Sequence, residues 1–289
     1  MGYSARYHAT SLIAIFVALA IGIVIGAALG GDTLDDTRKD LERSLTGNLE
    51  DARERSEELS GELGHANEFA SRVYPALTRD RLDGRRIGLL ALGNLPGDVP
   101  DEVEEALGPT GGRLVAVGVV REPIDVRALA NDLERTRFAG MADDPDAQAA
   151  FGAGVGRQLV LGGKLLERVR SRLFSRASGN FGGLDGVIVV RDQPEDMGST
   201  QEAAAGRVES GLVSGIAATR APAVGVETST DDSSSIAFFQ ANDLSSVDDV
   251  DLVAGRLAMV LSLLGAEGSF GVKGTADSLL PDLLTPERQ

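Results

Sequence analysis

The pattern of hydrophobic and polar positions divides this 289-residue chain into three parts. Residues 12–29 are an uninterrupted apolar run without a charged or amide side chain. Residues 34–73 are rich in Glu, Arg, Leu and Ala, and from Arg85 short apolar runs alternate with Gly, Pro and helical segments. The predicted organisation is a short cytoplasmic N-terminus (1–11), a transmembrane anchor (12–30), a coiled-coil stalk (33–78), an extracytoplasmic α/β domain (84–281) and a flexible tail (282–289).

The apolar run has about the minimum length for a helix across a bilayer, and such a helix satisfies its own backbone hydrogen bonds. Arg6 precedes the run and Asp32 follows it. By the positive-inside rule, this arrangement predicts a single-pass protein with a cytoplasmic N-terminus and an exported body. The alternative to an uncleaved anchor is a signal peptide cleaved near Ala28–Gly30.

Small residues recur at every fourth position along one face of the predicted anchor. They are Ala14, Ala18, Gly22, Gly26 and Gly30. This spacing lets two helices approach closely, and close packing is the main attraction between helices in lipid. We therefore predict self-association through this stripe. The alternative is that Gly and Ala are simply common in membrane helices.

A seven-residue repeat continues through the stalk. One set of positions is mostly apolar: Arg38, Leu45, Ala52, Leu59, Ala66 and Val73. The set three residues later is apolar mainly at its two ends: Leu34, Leu41, Asn48, Arg55, Glu62, Phe69 and Ala76. The pattern predicts a parallel coiled-coil dimer, or a higher homo-oligomer, with a polar middle. A single amphipathic helix lying on the globular domain is the alternative.

The body alternates apolar runs with helical segments. Strands are predicted near 87–92, 114–120, 186–190, 223–226, 236–239 and 269–272, and helices near 100–107, 125–138, 147–174, 201–217 and 250–264. Strands that are apolar on both faces are typical of a mostly parallel sheet covered by helices on both sides. We therefore predict a doubly wound, mostly parallel α/β sandwich.

Composition narrows the classes of function. A net charge of −16 argues against a nucleic-acid partner, because phosphates bind surfaces rich in Lys and Arg. The chain has no Cys, which removes disulfides, thiolate metal sites and Cys nucleophiles. Its two histidines, His8 and His65, lie far apart in the sequence, and no hydrolase or phosphate-loop motif occurs. We predict no catalytic residue, no cofactor and no enzymatic activity, and we assign no metal ligand.

Candidate chemistry lies after the predicted strands, because the carboxyl ends of parallel strands carry the sites of doubly wound folds. Asp192, Glu195 and Glu227 follow two of these strands and form a candidate cleft. Ordinary polar loop chemistry explains the same residues equally well. The segment Gly152–Gly156 has neither the preceding strand nor the last spacing of a dinucleotide-binding loop.

The N-terminus carries a family resemblance. The stretch Arg6-Tyr7-His8, followed by the apolar run to Gly26, resembles actinobacterial envelope proteins similar to mycobacterial copper transport protein B. The resemblance implies a role in limiting copper accumulation, with copper as the transported ion, and an outer-membrane channel in species that have a mycolate outer membrane. Copper(I) prefers Cys and Met ligands, and the four methionines are isolated. No copper-binding residue is carried over.

Three functions remain open at this point. The leading hypothesis is an anchored, oligomeric envelope protein of copper transport or homeostasis, in the cell membrane or in an outer membrane where one exists. The second is a scaffold that holds an interaction domain away from the bilayer. The third is a hydrolase or carbohydrate-active domain that uses Asp192 and Glu227.

Overall fold

A computed structural model describes residues 5–194, 196–231 and 234–282, except for the side chains of residues 5–10, 27–40 and 42. The predicted tail 282–289 falls outside the described residues beyond Asp282. Contacts divide the chain into two units, Met1–Ala66 and Asn67–Gln289. Each unit is described separately below.

The described part of the first unit, residues 5–66, belongs to helix α1, which spans Ala5–Thr78. The large apolar side chains between Leu12 and Ile25 are each more than half exposed. In the part of the chain that the structure describes, no helix combines the length and apolar character needed to cross a membrane. The predicted transmembrane helix is therefore not supported by the structure, and the predicted coiled coil is present only as one helix.

The second unit alternates strands with helices. Its strands are β1 (Arg86–Gly93), β2 (Arg113–Val120), β3 (Phe174–Gly179), β4 (Gly186–Asp192), β5 (Ala223–Val226), β6 (Ser245–Val247) and β7 (Ser269–Phe270). Its helices after α1 are α2 (Val99–Leu107), α3 (Val126–Asp132), α4 (Pro145–Leu161), α5 (Lys164–Leu173), α6 (Ser199–Ala217), α7 (Ile236–Ala241) and α8 (Val253–Leu263).

The described strands form one seven-stranded sheet in the order β3-β2-β1-β4-β5-β6-β7. Neighbouring strands are parallel, except that the edge strand β3 runs antiparallel to β2. Successive side chains of β1 alternate between two cores. Leu90 and Leu92 pack with α3 to α7, whereas Leu89 and Ala91 pack with α2 and α8. The predicted mostly parallel α/β sheet is confirmed.

Helices α4 and α6 are in backbone contact through glycines spaced four residues apart. A Cβ added to Gly152 or Gly156 of α4 would lie 2.2 or 2.1 Å from a carbonyl oxygen of α6. A Cβ added to Gly211 or Gly215 of α6 would lie 2.3 or 2.2 Å from a carbonyl oxygen of α4. The glycines that superficially resemble a dinucleotide-binding loop therefore serve helix packing.

Three elements of the body differ from the prediction made from the sequence. Residues 236–239, predicted as a strand, form the start of α7. A short apolar run fits either structure, and here hydrogen bonds from Ser234 Oγ and Ser235 N to the Glu227 carboxylate hold the chain at the helix start. The strands β3 and β6 were not predicted, because β3 is mostly exposed and polar and β6 has only three residues.

The Gly156→Ala substitution should destabilise the fold. Alanine favours a helix intrinsically, but its Cβ would overlap the Leu212 carbonyl oxygen, and such overpacking costs about 2 kcal/mol. The matched control is Gly206→Ala in α6, where the added Cβ meets nothing within 4 Å and should stabilise by up to about 1 kcal/mol. Urea unfolding of the full chain in detergent, followed by circular dichroism, measures both. Equal stability of the two variants would contradict the close helix contact.

Candidate functional site

The chain changes winding direction between β1 and β4. The connection after β1 runs through α2 on one face of the sheet, and the connection after β4 runs through α6 on the other. Two neighbouring strands whose loops leave toward opposite faces open a crevice at their carboxyl ends, and doubly wound folds bind ligands there. The candidate site of this protein therefore lies beside the carboxyl end of β1.

A cavity of about 440 Å³ occupies this edge of the sheet. Its wall is formed by residues that follow β1, β2 and β4 and by the start of β3. The polar and charged side chains in the wall are those of Asn94, Arg121, Glu122, Ser175 and Arg176. We call this cavity the crevice.

Glu122 is the chemically distinctive group of the crevice. Its Oε2 accepts a hydrogen bond of 3.1 Å from the Ile124 N–H, while its buried Oε1 has no partner among the described residues. Burial, reinforced by the nearby charge of Glu209, raises the pKa of Glu122 to about 8. Glu122 therefore holds a proton at neutral pH and has a hydrogen to donate.

Arg191 and Glu209 form a buried ion pair near Glu122. Arg191 Nε lies 3.1 Å from Glu209 Oε2, and Gln193 donates a hydrogen bond to the other oxygen of Glu209. Burial raises the pKa of the Glu209 carboxyl, while Arg191 and Gln193 act in the opposite direction. The Arg191 guanidinium also lies 4.5 Å from the centre of the Phe238 ring. These contacts fix Glu209 in a structural role.

Glu227, one of the predicted site residues, is also fully engaged. Its Oε1 accepts hydrogen bonds from Ser234 Oγ at 2.8 Å and from Lys273 Nζ at 2.7 Å. Its Oε2 accepts from Ser235 N at 2.7 Å. This buried carboxylate joins the loops after β5 and β7, so its role is structural.

The structure does not bring the predicted cleft residues together. Val190 and Val226 both belong to the core on the α2 side. Because side chains alternate along a strand, Asp192 lies on that side, whereas Glu227 lies on the opposite side. No hydrogen bond or ion pair between described residues joins Asp192 to Glu227. Glu195 lies outside the described residues.

A second buried acid lies further along the same edge. Asp249 is fully buried, and neither carboxylate oxygen has a hydrogen-bond partner within the described part of the chain. Burial raises its pKa to about 7, and the charges of Asp248 and Asp251 add to this effect. Asp248 itself accepts hydrogen bonds from the N–H groups of Val272 and Lys273. Among the described residues, no group of three or more His, Cys, Asp or Glu side chains is arranged to hold a metal ion.

The amino edge of the sheet carries a larger cavity of about 700 Å³, beside β5, β6 and β7. Arg220, Asp243, Glu267 and Asp277 line it, as does the buried Ser262, whose hydroxyl has no partner in the described structure. Size alone favours this cavity. We place the candidate site in the crevice because parallel α/β sheets bind ligands at the carboxyl ends of their strands.

The stripe residues Ala14, Ala18, Gly22 and Gly26 lie on the exposed surface of α1. A Cβ added at Gly22 or Gly26 would meet nothing within 4 Å, so this face is open in the single chain. The surroundings of Gly30 are outside the described side chains.

The model of a protein family described as "Copper transport outer membrane protein, MctB" matches residues 3–281. The chain belongs to this family. The resemblance seen at the N-terminus is therefore confirmed along almost the whole chain. No curated protein matches the sequence.

The sequence patterns did not single out Glu122 and Glu209, the acids with raised pKa values at the carboxyl edge of the sheet in this MctB-family domain. Glu122 follows an apolar strand and precedes Pro123, as many loop residues do, and Glu209 is one of two acids in an ordinary helix. One signal was present in the sequence. Glu122 follows a predicted buried strand and Glu209 lies in a predicted helix that covers such strands, and a buried acid needs a partner. Their raised pKa values depend on burial, which appears only in three dimensions.

The Glu122→Gln substitution should make the domain less sensitive to alkaline pH. The folded-state pKa of about 8 exceeds the ordinary value of 4.5, so the folded protein keeps a proton that the unfolded chain loses. The free energy of unfolding therefore falls as pH rises from about 4.5 to 8. Allowing for partial exposure, glutamine should stabilise the protein by about 2 kcal/mol at pH 8.5 and have little effect at pH 4.5.

Urea unfolding at both pH values measures this effect. Glu167→Gln on the exposed surface of α5 is the control and should shift stability equally little at both pH values. A Glu122→Gln variant with the same pH dependence as the unsubstituted chain would show that Glu122 titrates normally.

Proposed function

We propose that this protein acts in copper transport in the cell envelope, as a membrane-attached and self-associating chain rather than an enzyme. The observation that carries the proposal is the family match over residues 3–281, which includes α1 and nearly the whole α/β domain. The family description names copper transport and the outer membrane. Applying both to this chain is the proposal.

Membrane attachment through residues 12–29 is supported by the surface of α1. The large apolar side chains from Leu12 to Ile25 are 52–66% exposed. Exposed apolar area is costly in water at about 25 cal/mol per Å², and burial in lipid removes that cost. The sequence stays free of charge up to Leu29. Attachment by this segment leaves the α/β domain on one side of the membrane.

Self-association is supported by two features of the same helix. The first is the open stripe Ala14, Ala18, Gly22 and Gly26, where a second helix could approach as closely as small residues permit. The second is an exposed apolar stripe in the stalk. Its leucines, Leu45, Leu49, Leu59 and Leu63, are each more than half exposed.

The apolar residues of the stalk fit a seven-residue repeat better when its second apolar position lies four residues after the first, instead of three. This choice pairs Leu45 with Leu49 and Leu59 with Leu63. At 100° per residue, Glu50, Glu54 and Glu57 then lie on the opposite side of the helix from this stripe. A parallel dimer joined along the stripe therefore keeps these like charges apart.

The α/β domain contributes no copper ligand set to this proposal. The chain has no Cys, and Met141 and Met259 are both fully buried. Copper would move through an assembly of chains or together with another component, with the α/β domain in a supporting or regulatory role. The scaffold alternative rests on the same exposed stripes, but it leaves the family's transport description without a role.

Substitution of the stripe should weaken self-association. In Gly22→Ile/Gly26→Ile, branched side chains would hold the partner helix away, and the association constant of the dimer in detergent should fall at least fivefold, or about 1 kcal/mol. Ala20→Ile, two positions off the stripe, is the matched control and should associate like the unsubstituted chain. Fluorescence energy transfer between labelled chains measures this constant. Unchanged transfer in the double variant would remove this stripe as an interface.

Copper transport is tested with the full chain in lipid vesicles that enclose a copper-sensitive dye. We expect copper entry faster than in protein-free vesicles, and slower entry with the Gly22→Ile/Gly26→Ile variant. A strain lacking the gene should accumulate more copper, and the full-length gene should restore the normal level. If vesicle entry and cellular copper both remain at control levels, the transport proposal fails and the scaffold remains.

A further inference from the structure

The crevice combines cationic groups with an acid that is neutral at pH 7. Arg121 and Arg176 both lie in its wall, and both residues are exposed. Glu122 faces the charges of Arg191 and Glu209, which neutralise each other in their ion pair. The crevice therefore carries about two positive charges in a chain whose net charge is −16. Such a local excess of positive charge attracts anions and repels bare cations.

The surrounding structure holds these groups in place. The Arg121 guanidinium donates hydrogen bonds to the carbonyl oxygens of Arg172 and Phe174, at 3.4 and 3.3 Å. These bonds use two of its five N–H groups and leave donors for a ligand. Asn94 N donates to the Asp192 carbonyl oxygen at 2.7 Å, which joins the loops after β1 and β4 at the crevice floor. The wall is therefore built before any ligand arrives.

Glu122 does not oppose an anion in the crevice. Its Oε1 is buried and closed off from the cavity, and burial raises the pKa of the carboxyl to about 8, so the group is neutral at pH 7. The acid in the crevice wall therefore adds no negative charge beside the two arginines. A carboxylate or phosphate group fits this wall, because it pairs with guanidinium groups through charge-assisted hydrogen bonds.

We propose that the crevice binds a small organic anion through a carboxylate or phosphate group, which contacts Arg121 and Arg176. A volume of about 440 Å³ fits a small metabolite rather than a polymer. The site is distinct from any path for copper, because guanidinium groups disfavour a metal cation. This inference does not depend on the transport proposal.

The test is calorimetric titration of the full chain in detergent at pH 7, with inorganic phosphate and with succinate as probes. Tighter binding of phosphate identifies a phosphorylated ligand, and tighter binding of succinate identifies a carboxylate ligand. Arg176→Gln should weaken the preferred probe about tenfold, because it removes a charge-assisted hydrogen bond. Arg113→Gln, an exposed cation at the amino end of β2, is the control of equal charge and should leave affinity unchanged.

A second arm examines the acid. Between pH 7 and pH 9 the affinity of the unsubstituted chain for succinate should fall at least fivefold, since Glu122 ionises while Arg121, Arg176 and the Arg191–Glu209 pair keep their charges. Glu122→Gln stays neutral, so it does not repel the anion at pH 9 and should lose less than twofold over the same range. The proposal is overturned if neither probe binds saturably, if Arg113→Gln weakens binding as much as Arg176→Gln, or if Glu122→Gln leaves the pH dependence unchanged.

Discussion

The close contact of α4 with α6 is the constraint on which the arrangement of the α/β domain depends. Four glycines, Gly152, Gly156, Gly211 and Gly215, bring the two backbones together where any side chain would overlap a carbonyl oxygen. This contact fixes the rotation and height of α6 against the sheet. Glu209, two residues before Gly211, is thereby placed next to Arg191 at the end of β4. Close packing at these glycines therefore determines where the Glu209 carboxylate lies beside the candidate site.

Buried charges at the carboxyl edge of the sheet fall into two groups. Glu209 and Glu227 each have a cationic partner and further hydrogen bonds, so they hold loops in place. One buried oxygen of Glu122 and both oxygens of Asp249 have no partner among the described residues, and burial raises the pKa of both acids. An unpartnered buried oxygen lowers stability, whereas the partners of the first group offset part of the cost of burying a carboxylate. Because Glu122 also borders a cavity with two arginines, it distinguishes a binding site from a purely structural polar cluster.

The sequence was sufficient for the parts of the fold that depend on local pattern. Buried strands such as β1 and β4 are apolar on both faces, and both were predicted to within two residues at each end. It was insufficient where tertiary contacts decide. The residues after Ser235 form a helix because the Glu227 carboxylate holds their first turn. Asp192 and Glu227 were expected to converge, but they lie at positions of opposite parity on adjacent strands, which sequence spacing alone does not reveal.

Binding of copper(I) and binding of an anion in the crevice require different chemical groups. Selective binding of copper(I) needs soft sulfur ligands, and the chain has no Cys and only isolated Met residues. The crevice has hard oxygen and guanidinium groups suited to an anion. In the proposed function, copper transport depends on association of several chains along the exposed stripes of α1, where each chain contributes one helix. With the proposed anion site, the α/β domain would bind a molecule different from the transported ion, at groups that a copper ion would not use.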